Sequence, residues 1–292
     1  MKTLILSGYG TNCERETQFA CERAGAAVRA GAVEVRHISE IYEGGIPLKE
    51  YSFLVMIGGF MDGDDLGGGR ACANRFRYRR LPGRVGGGTF LERLQEFIAD
   101  GRLVLGICNG FQVLVKLGIL PGSGRLDEPY RPVHIDATQT VSLTSNARGR
   151  FEDRWIHLRI DPASPCIYTK GLEHLDLPVR HGEGRIVGHS EADLAKLVEG
   201  HLTPMRYSLE DGTPTVEYPA NPNGSAFGIA SLCNASGTVM GLMPHPEGFN
   251  HYTNHPQWTR KAFPPDPENE DGDGLALFRN AYAYLLAEGY TD

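Results

Sequence analysis

The stretch VLGICNGFQVLVKLG, residues 104–118, places one cysteine between two glycines directly after an apolar run. A buried structural cysteine does not require Gly106 and Gly110 beside it. A nucleophile on a sharp strand-to-helix turn does, and G-x-C-x-G is the thiol form of the nucleophile elbow. Glycines relieve the crowding of such a turn and let backbone approach closely. Cys108 then stands at a helix N-terminus, where free N–H groups and the dipole favour thiolate. The helix is expected to run to about Leu117, with Gly118 as its stop and Pro121 beyond. Gln112, one turn along the same face, can hold a polar substrate against the sulfur. The pattern alone leaves nucleophile and structural cysteine level.

The same rhythm recurs along the chain. LIL at 4–6 precedes Gly8, FLVMI at 53–57 precedes Gly58-Gly59, and LVLGI at 103–107 precedes Cys108. Helical patterns run from Glu14 to Ala24 and from Phe90 to Ala99. Strand, glycine turn and helix in alternation predict an α/β fold, an open, mostly parallel sheet flanked by helices. Ligand sites of such sheets lie at the carboxyl ends of the strands. The second half carries extra β-rich elements: VSLTS (141–145), IHLRI (156–160) and a late buried strand in GTVMGLM (237–243), with a turn at NPNGS (221–225). Residues 248–274, with four prolines and an acidic PENEDGDG run, read as a long surface loop before a last helix at about Leu275 to Leu286. Without a repeat or a clear linker, residues 1–292 read as one domain with extended loops near 67–90 and 248–274.

Composition removes several function classes. A net charge of -7 gives no general attraction to nucleic acid or to an anionic membrane. No segment approaches the roughly 18 apolar residues of a membrane span. MKTLILSGYG is too short in its apolar part for a secretory leader, so a cytoplasmic location is expected. The six cysteines have no C-x-x-C spacing, which argues against a disulfide scaffold or a zinc site, and the five other than Cys108 read as ordinary reduced thiols. SGYGTNC (7–13) starts like a dinucleotide fingerprint but has Cys13 where the third glycine belongs. Asp62, Asp64 and Asp65 suggest calcium, yet the twelfth position of that loop is Ala73, not glutamate. No metal is expected. RACANRFRYRRLPGR (70–84) holds six arginines. In an acidic chain it reads as a solvated face or a protein-docking surface ahead of a nucleic-acid contact.

A nucleophile needs a base, and the base an orienting group. Three H-x-E triplets exist: His181-Gly182-Glu183, His189-Ser190-Glu191 and His245-Pro246-Glu247. The third has a mechanical advantage. Pro246 pushes His245 out of the α region, and in an extended stretch residues i and i+2 share a side. Glu247 then orients His245 toward Cys108. An α/β-hydrolase would order its triad nucleophile, acid, histidine; here the histidine precedes the acid.

Cys108 with Gln112, and His245 with Glu247 near the C-terminus, resemble the class I glutamine amidotransferases. GTNCERET (10–17), GGFMDGDDL (58–66), GICNGFQ (106–112), RHGEGR (180–185), NPNGS (221–225) and LMPHPE (242–247) resemble in order the glutaminase subunits of phosphoribosylformylglycinamidine synthases. The resemblance implies that Cys108 attacks the amide carbon of glutamine, that His245 shuttles protons and that Glu247 orients it. It implies an oxyanion site between the Asn109 N–H and a donor of the 58–60 turn, Gly59 or Phe60, each donor worth about 3–4 kcal/mol in the transition state. Gln112 would touch the substrate glutamine. Ammonia would pass to a synthetase partner that aminates formylglycinamide ribonucleotide in de novo purine synthesis. No G-x-x-x-x-G-K-[ST] motif is present, so ATP and magnesium are expected only on that partner. The sequence leaves open a small third subunit and the roles of RHGEGR and NPNGS. Gly248 stands where the family commonly has arginine. Two other readings compete: a free-standing cysteine hydrolase of small amides or esters, and a non-catalytic regulatory subunit.

Overall fold

The computed structural model describes residues 1–26, 30–63, 67–82, 88–122, 139–260 and 270–290. At its centre five strands lie parallel in the spatial order β2 (Val33–His37), β1 (Thr3–Ser7), β3 (Phe53–Met56), β4 (Leu103–Ile107) and β11 (Val239–Leu242). A short β10 (Ser231–Cys233) closes the far edge antiparallel to β11. Strands covered on both faces need continuous apolar runs, and FLVM, LVLGI and VMGL are buried along their whole length. The expected mostly parallel sheet is therefore the observed one. β2 lies on one side of β1 and β3 on the other, so strand order reverses there and opens a crevice at the carboxyl edge. The turns after β1, β3, β4 and β11 all reach that edge.

Helix α1 (Glu14–Ala26) packs on α7 (Leu275–Ala287). The Tyr282 hydroxyl on α7 shares a hydrogen bond of 2.7 Å with Thr3 Oγ1 and ties that helix to β1. Helix α5 (Asn109–Lys116) lies against β3, β4 and β11, with α3 (Arg70–Tyr78) beside it and α4 (Phe90–Ala99) beyond. α4 starts at a capping box in which Thr89 and Glu92 exchange side-chain-to-backbone bonds. The second half adds two small antiparallel sheets. In one, β6 (Glu152–Ile160) lies between β7 (His174–His181) and β9 (Met205–Ser208); in the other, β5 (Val141–Thr144) pairs with β8 (Arg185–Gly188).

Two expected loops differ. The arginine-rich run is a helix over 70–78, because Cys72, Ala73 and Phe76 share one buried face while the arginines project elsewhere. The start of the 248–274 segment folds down: Phe249 and His255 are buried against Trp155, with ring centroids 5.1 and 4.6 Å from it. Residues 261–269, Asp64 and Asp65 of the calcium-like loop, and Arg84 lie outside the described residues.

A close backbone approach lies between α5 and β3. A Cβ on Gly110 would stand 2.0 Å from the Met56 carbonyl oxygen, a backbone atom that cannot swing aside. Gly110→Ala is therefore expected to destabilise the fold by about 3 kcal/mol or more. Urea unfolding measures this, and a loss under about 1 kcal/mol would show that α5 can lift from β3.

Candidate active site

Cys108 occupies the turn between β4 and α5 at φ 50°, ψ -103°. A side chain at positive φ is uncommon and costs on the order of 1–2 kcal/mol. The turn is held by its own amides: the Cys108 N–H donates to Leu242 O (2.8 Å) and the Gly110 N–H to Ile57 O (3.1 Å). The thiol is nearly buried and lies 3.6 Å from the Arg180 carbonyl oxygen. A Cβ on Gly58 would lie 2.9 Å from His245 Cε1 and 3.4 Å from Cys108 Cβ, so both side chains meet at this glycine turn.

His245 follows β11, and its N–H donates to Pro178 O on β7 (2.8 Å). Its Nδ1 lies 2.5 Å from Glu247 Oε1, with the two residues 2% and 1% exposed. The expected contact forms, but not through an extended stretch. Residues 246–248 make a 3₁₀ turn, and Glu247 reaches the ring from within it. Burial opposes charge on His245, yet the Glu247 carboxylate first, with the neighbouring Cys108 and Cys13 thiols, holds it well above the usual imidazole range. Nε2 is buried without a hydrogen bond, and it is the nitrogen left to trade a proton once Nδ1 is bound to the carboxylate.

Of the two turn donors expected at the oxyanion site, Gly59 and Phe60, one is already engaged. The Phe60 N–H donates to Gly10 O (2.7 Å) and the Asn12 N–H to Gly58 O (3.1 Å), which spends Phe60 on bracing the turn. The Gly59 N–H takes no part in that pairing. Asn109 is the first residue of α5, so its N–H has no carbonyl one turn back in the helix. Gly59 and Asn109 are the expected donors whose N–H groups stay out of that pairing. Gly59 needs its lack of a side chain, since at φ 118° a Cβ would lie 2.4 Å from Gly10 O.

Gln112 reaches the same wall, but its amide is committed. Nε2 donates to Glu183 O (2.6 Å) and Oε1 accepts from Asn109 Nδ2 (2.9 Å). Glu183 Oε2 in turn accepts the Gly68 N–H (2.7 Å). Gln112 ties the elbow helix to the 67–69 and 180–185 segments rather than presenting an open amide to substrate.

RHGEGR and NPNGS form one buried polar brace. Asn223 Nδ2 donates to Gly184 O (2.7 Å) and Tyr207 Oη (2.9 Å), and Ser225 Oγ accepts the Ile186 N–H (2.9 Å). Asn146 Nδ2 donates to Arg150 O and His181 O, while its Oδ1 accepts from the Gly184 N–H. The His181 Nδ1 bonded to that same Oδ1 (3.1 Å) must therefore carry the proton, which leaves Nε2 a bare acceptor. Burial first, and the charge of His245 second, drive His181 down to about 3.

Cys13, read from sequence as an ordinary thiol, belongs to the site. Its Sγ, a ring nitrogen of His245 and a carboxylate oxygen of Glu247 lie within 4.8 Å of one another. Among the described residues this is the one grouping of such side chains close enough to ligate a metal, and two of its members are already bound to each other. Burial pushes the Cys13 thiol up against the pull of a hydrogen bond to His245, so it stays protonated near neutral pH. Only long-range packing brings it here, and no local pattern marks it.

The model of the CobB/CobQ-like glutamine amidotransferase domain matches residues 1–285. The phosphoribosylformylglycinamidine synthase subunit PurQ of Dehalococcoides mccartyi is 40% identical over 281 residues, 96% of each chain. The subunit of the same name from Methanococcus maripaludis strain C7 is 36% identical over 296 residues, 97% of each. A phosphoribosylformylglycinamidine synthase of Dictyostelium discoideum is 32% identical over 84% of this chain but only 17% of its own length. Among solved structures, a chain of PurLQS from Thermotoga maritima superposes with a TM-score of 0.64 at 23% identity, covering 97% of this chain and 98% of that one, a likeness of fold.

The His181 environment has a consequence for acid stability. Its folded pKa lies below the unfolded value of about 6.5, so stability is full above that pH and is lost as pH falls toward 3. Between about pH 7.5 and pH 5 wild type should lose roughly 2 kcal/mol more than His181→Gln. Urea midpoints at the two pH values measure it, and equal losses would mean that His181 is not held neutral.

Proposed function

The chain belongs to the family of phosphoribosylformylglycinamidine synthase PurQ subunits, and on that premise we propose that Cys108, His245 and Glu247 carry its glutaminase chemistry. The observation that carries the proposal is the buried His245–Glu247 pair, 2.5 Å apart, beside an elbow cysteine that caps α5. His245 holds at Nε2 the proton given up by Cys108, whose thiolate sulfur attacks the γ-amide carbon of glutamine. Glu247 balances the imidazolium that results and fixes the ring. The oxyanion sits between the N–H groups of Gly59 and Asn109. His245 then protonates the departing nitrogen, ammonia leaves, and water taken up through the same base hydrolyses the γ-glutamyl thioester to glutamate.

The partner is a synthetase subunit that converts formylglycinamide ribonucleotide to formylglycinamidine ribonucleotide. ATP and magnesium are assigned to it, since the chain carries no phosphate-loop motif. The Dictyostelium relative supports this division: there the matching segment is a small part of a far longer enzyme. We read residues 1–292 as one glutaminase domain. Six unpaired thiols support a reducing cytoplasm as its compartment. Among the described residues no helix is long and apolar enough to cross a membrane.

Cys108→Ala should lower glutamine hydrolysis by on the order of 10³-fold or more while the complex still makes product from ammonium. Product formation from glutamine and from ammonium, measured side by side with the synthetase, separates the two. Hydrolysis retained by the variant would remove Cys108 as nucleophile. Adding the synthetase should raise hydrolysis by the wild-type subunit, whereas full activity without it on amides other than glutamine would favour a free-standing hydrolase.

A further inference from the structure

The turns after β1 and β11 bring a thiol, an imidazole and a carboxylate to one point. Cys13 Sγ, a ring nitrogen of His245 and a carboxylate oxygen of Glu247 all lie within 4.8 Å of one another. The glutamine chemistry proposed above uses His245 and Glu247 but not Cys13. In a tetrahedral metal site with bonds of about 2.0–2.3 Å, ligand atoms stand about 3.3–3.6 Å apart. The sulfur therefore needs to close by about 1.5 Å at most, within reach of one turn of its side chain. The Nδ1–Oε1 pair, at 2.5 Å, needs to open by about 0.8 Å, as it does when a metal ion replaces the proton between them.

The three donors stand on backbone that is already fixed. Cys13 is held at φ 69°, a conformation that costs energy and persists only where its surroundings impose it. The neighbouring Asn12 N–H donates to Gly58 O (3.1 Å), and Cys13 O accepts the Thr17 N–H (3.0 Å). His245 is pinned through its N–H to Pro178 O, and Glu247 stands on the same short turn. An ion would thus have to order little beyond the Cys13 thiol, which must leave its contact with Asn12 Oδ1 (3.2 Å). Cys13 is half-buried while His245 and Glu247 are buried, so the thiol side gives an ion its way in.

The donor set selects the metal. Magnesium and calcium take oxygen ligands, whereas thiolate with imidazole and one carboxylate suits zinc. Three protein ligands leave a fourth position open, as zinc sites that exchange ligands do. We propose that Cys13, His245 and Glu247 form a binding site for a zinc-class divalent ion, and that its occupancy shuts off glutamine hydrolysis. Binding expels the Cys13 thiol proton and the proton held between Nδ1 and Oε1 to solvent, and no electron moves. The imidazole is then a metal ligand and no longer available for proton transfer. The binding claim rests on geometry alone; the shut-off rests on the triad reading given above.

The test titrates the full chain, stripped of metal by a chelator, with cobalt(II), zinc(II) and, as control, magnesium. One equivalent of cobalt should give near-ultraviolet thiolate-to-cobalt absorption with the visible bands of a four-coordinate ion. Zinc should displace it, and magnesium should not. Cys13→Ala, a smaller side chain on the same backbone, should weaken zinc binding about 100-fold or more and remove the thiolate absorption. Glu247→Gln, which keeps the shape of the side chain, should weaken it about tenfold or more. In the complex with the synthetase, zinc should lower product from glutamine about tenfold or more, spare product from ammonium, and be reversed by chelator. No stoichiometric binding, a cobalt spectrum without thiolate absorption, or displacement by magnesium overturns the site. An unchanged spectrum and affinity in Cys13→Ala also overturns it, by placing the ion elsewhere. Zinc bound as expected with glutamine use unchanged overturns the shut-off and the triad reading, and leaves the metal site standing.

Discussion

The close approach of α5 to the carboxyl ends of β3 and β4 is the constraint on which the rest of the site depends. A Cβ on Gly106 would meet Leu114 Cδ1 at 2.5 Å and the Gly110 carbonyl carbon at 2.9 Å, while one on Gly110 would meet the Met56 oxygen. Only with both side chains absent does the helix start directly at the strand end. That proximity forces Cys108 into positive φ and aims its sulfur across the sheet edge. The strain is local, and the amides of Cys108 and Gly110 offset it by bonding to Leu242 and Ile57 on the flanking segments.

The charge in the site is as tightly arranged as the backbone. Removing a carboxylate and an imidazolium from water is costly, and an isolated buried pair often contributes little net stability. Here Glu247 and His245 stand on one short turn, so little additional ordering is needed to bring them together. The geometry serves proton transfer more than stability. β7 supplies the remaining fixings: Pro178 O accepts the His245 N–H, and the Arg180 carbonyl lies against the Cys108 thiol. The β-rich second half therefore positions His245 and covers Cys108, while Asn146, Asn223 and Ser225 hold the end of β7 and the turn that follows it.

What the sequence made legible were features set by neighbours in the chain. FLVMI, LVLGI and GTVMGLM carry their own burial pattern, the elbow carries its glycines, and His245 and Glu247 are two residues apart. Features set by distant contacts were hidden. Cys13 and Cys108 are separated by most of the sheet in sequence, yet both act on the His245 ring. The burial of His181 depends on Asn146, in a segment whose sequence gives no sign of it. α3 was obscured because its arginines dominate the composition, whereas Cys72, Ala73 and Phe76 decide its buried face. The extended reading of His245-Pro246-Glu247 failed on one dihedral choice: proline at the first position of a helical turn is as well suited as proline in a strand.

The same logic explains the glycines of SGYGTNC, which imitate a dinucleotide loop. In that loop the second glycine lets backbone approach a pyrophosphate. Here a Cβ on Gly10 would lie 2.4 Å from Phe60 O, so the space is taken by the turn after β3. Thr11 and Gly59 form an antiparallel bridge, and the Phe60 N–H closes on Gly10 O. The glycines thus serve protein-to-protein contact. Cys13 stands where the third glycine would be, just before α1, although φ 69° is a conformation that favours glycine, and its sulfur lies within 4.8 Å of a His245 ring nitrogen and a Glu247 carboxylate oxygen. A loop that resembles a phosphate cradle is in this chain the clamp that holds the 58–60 turn beside Cys108.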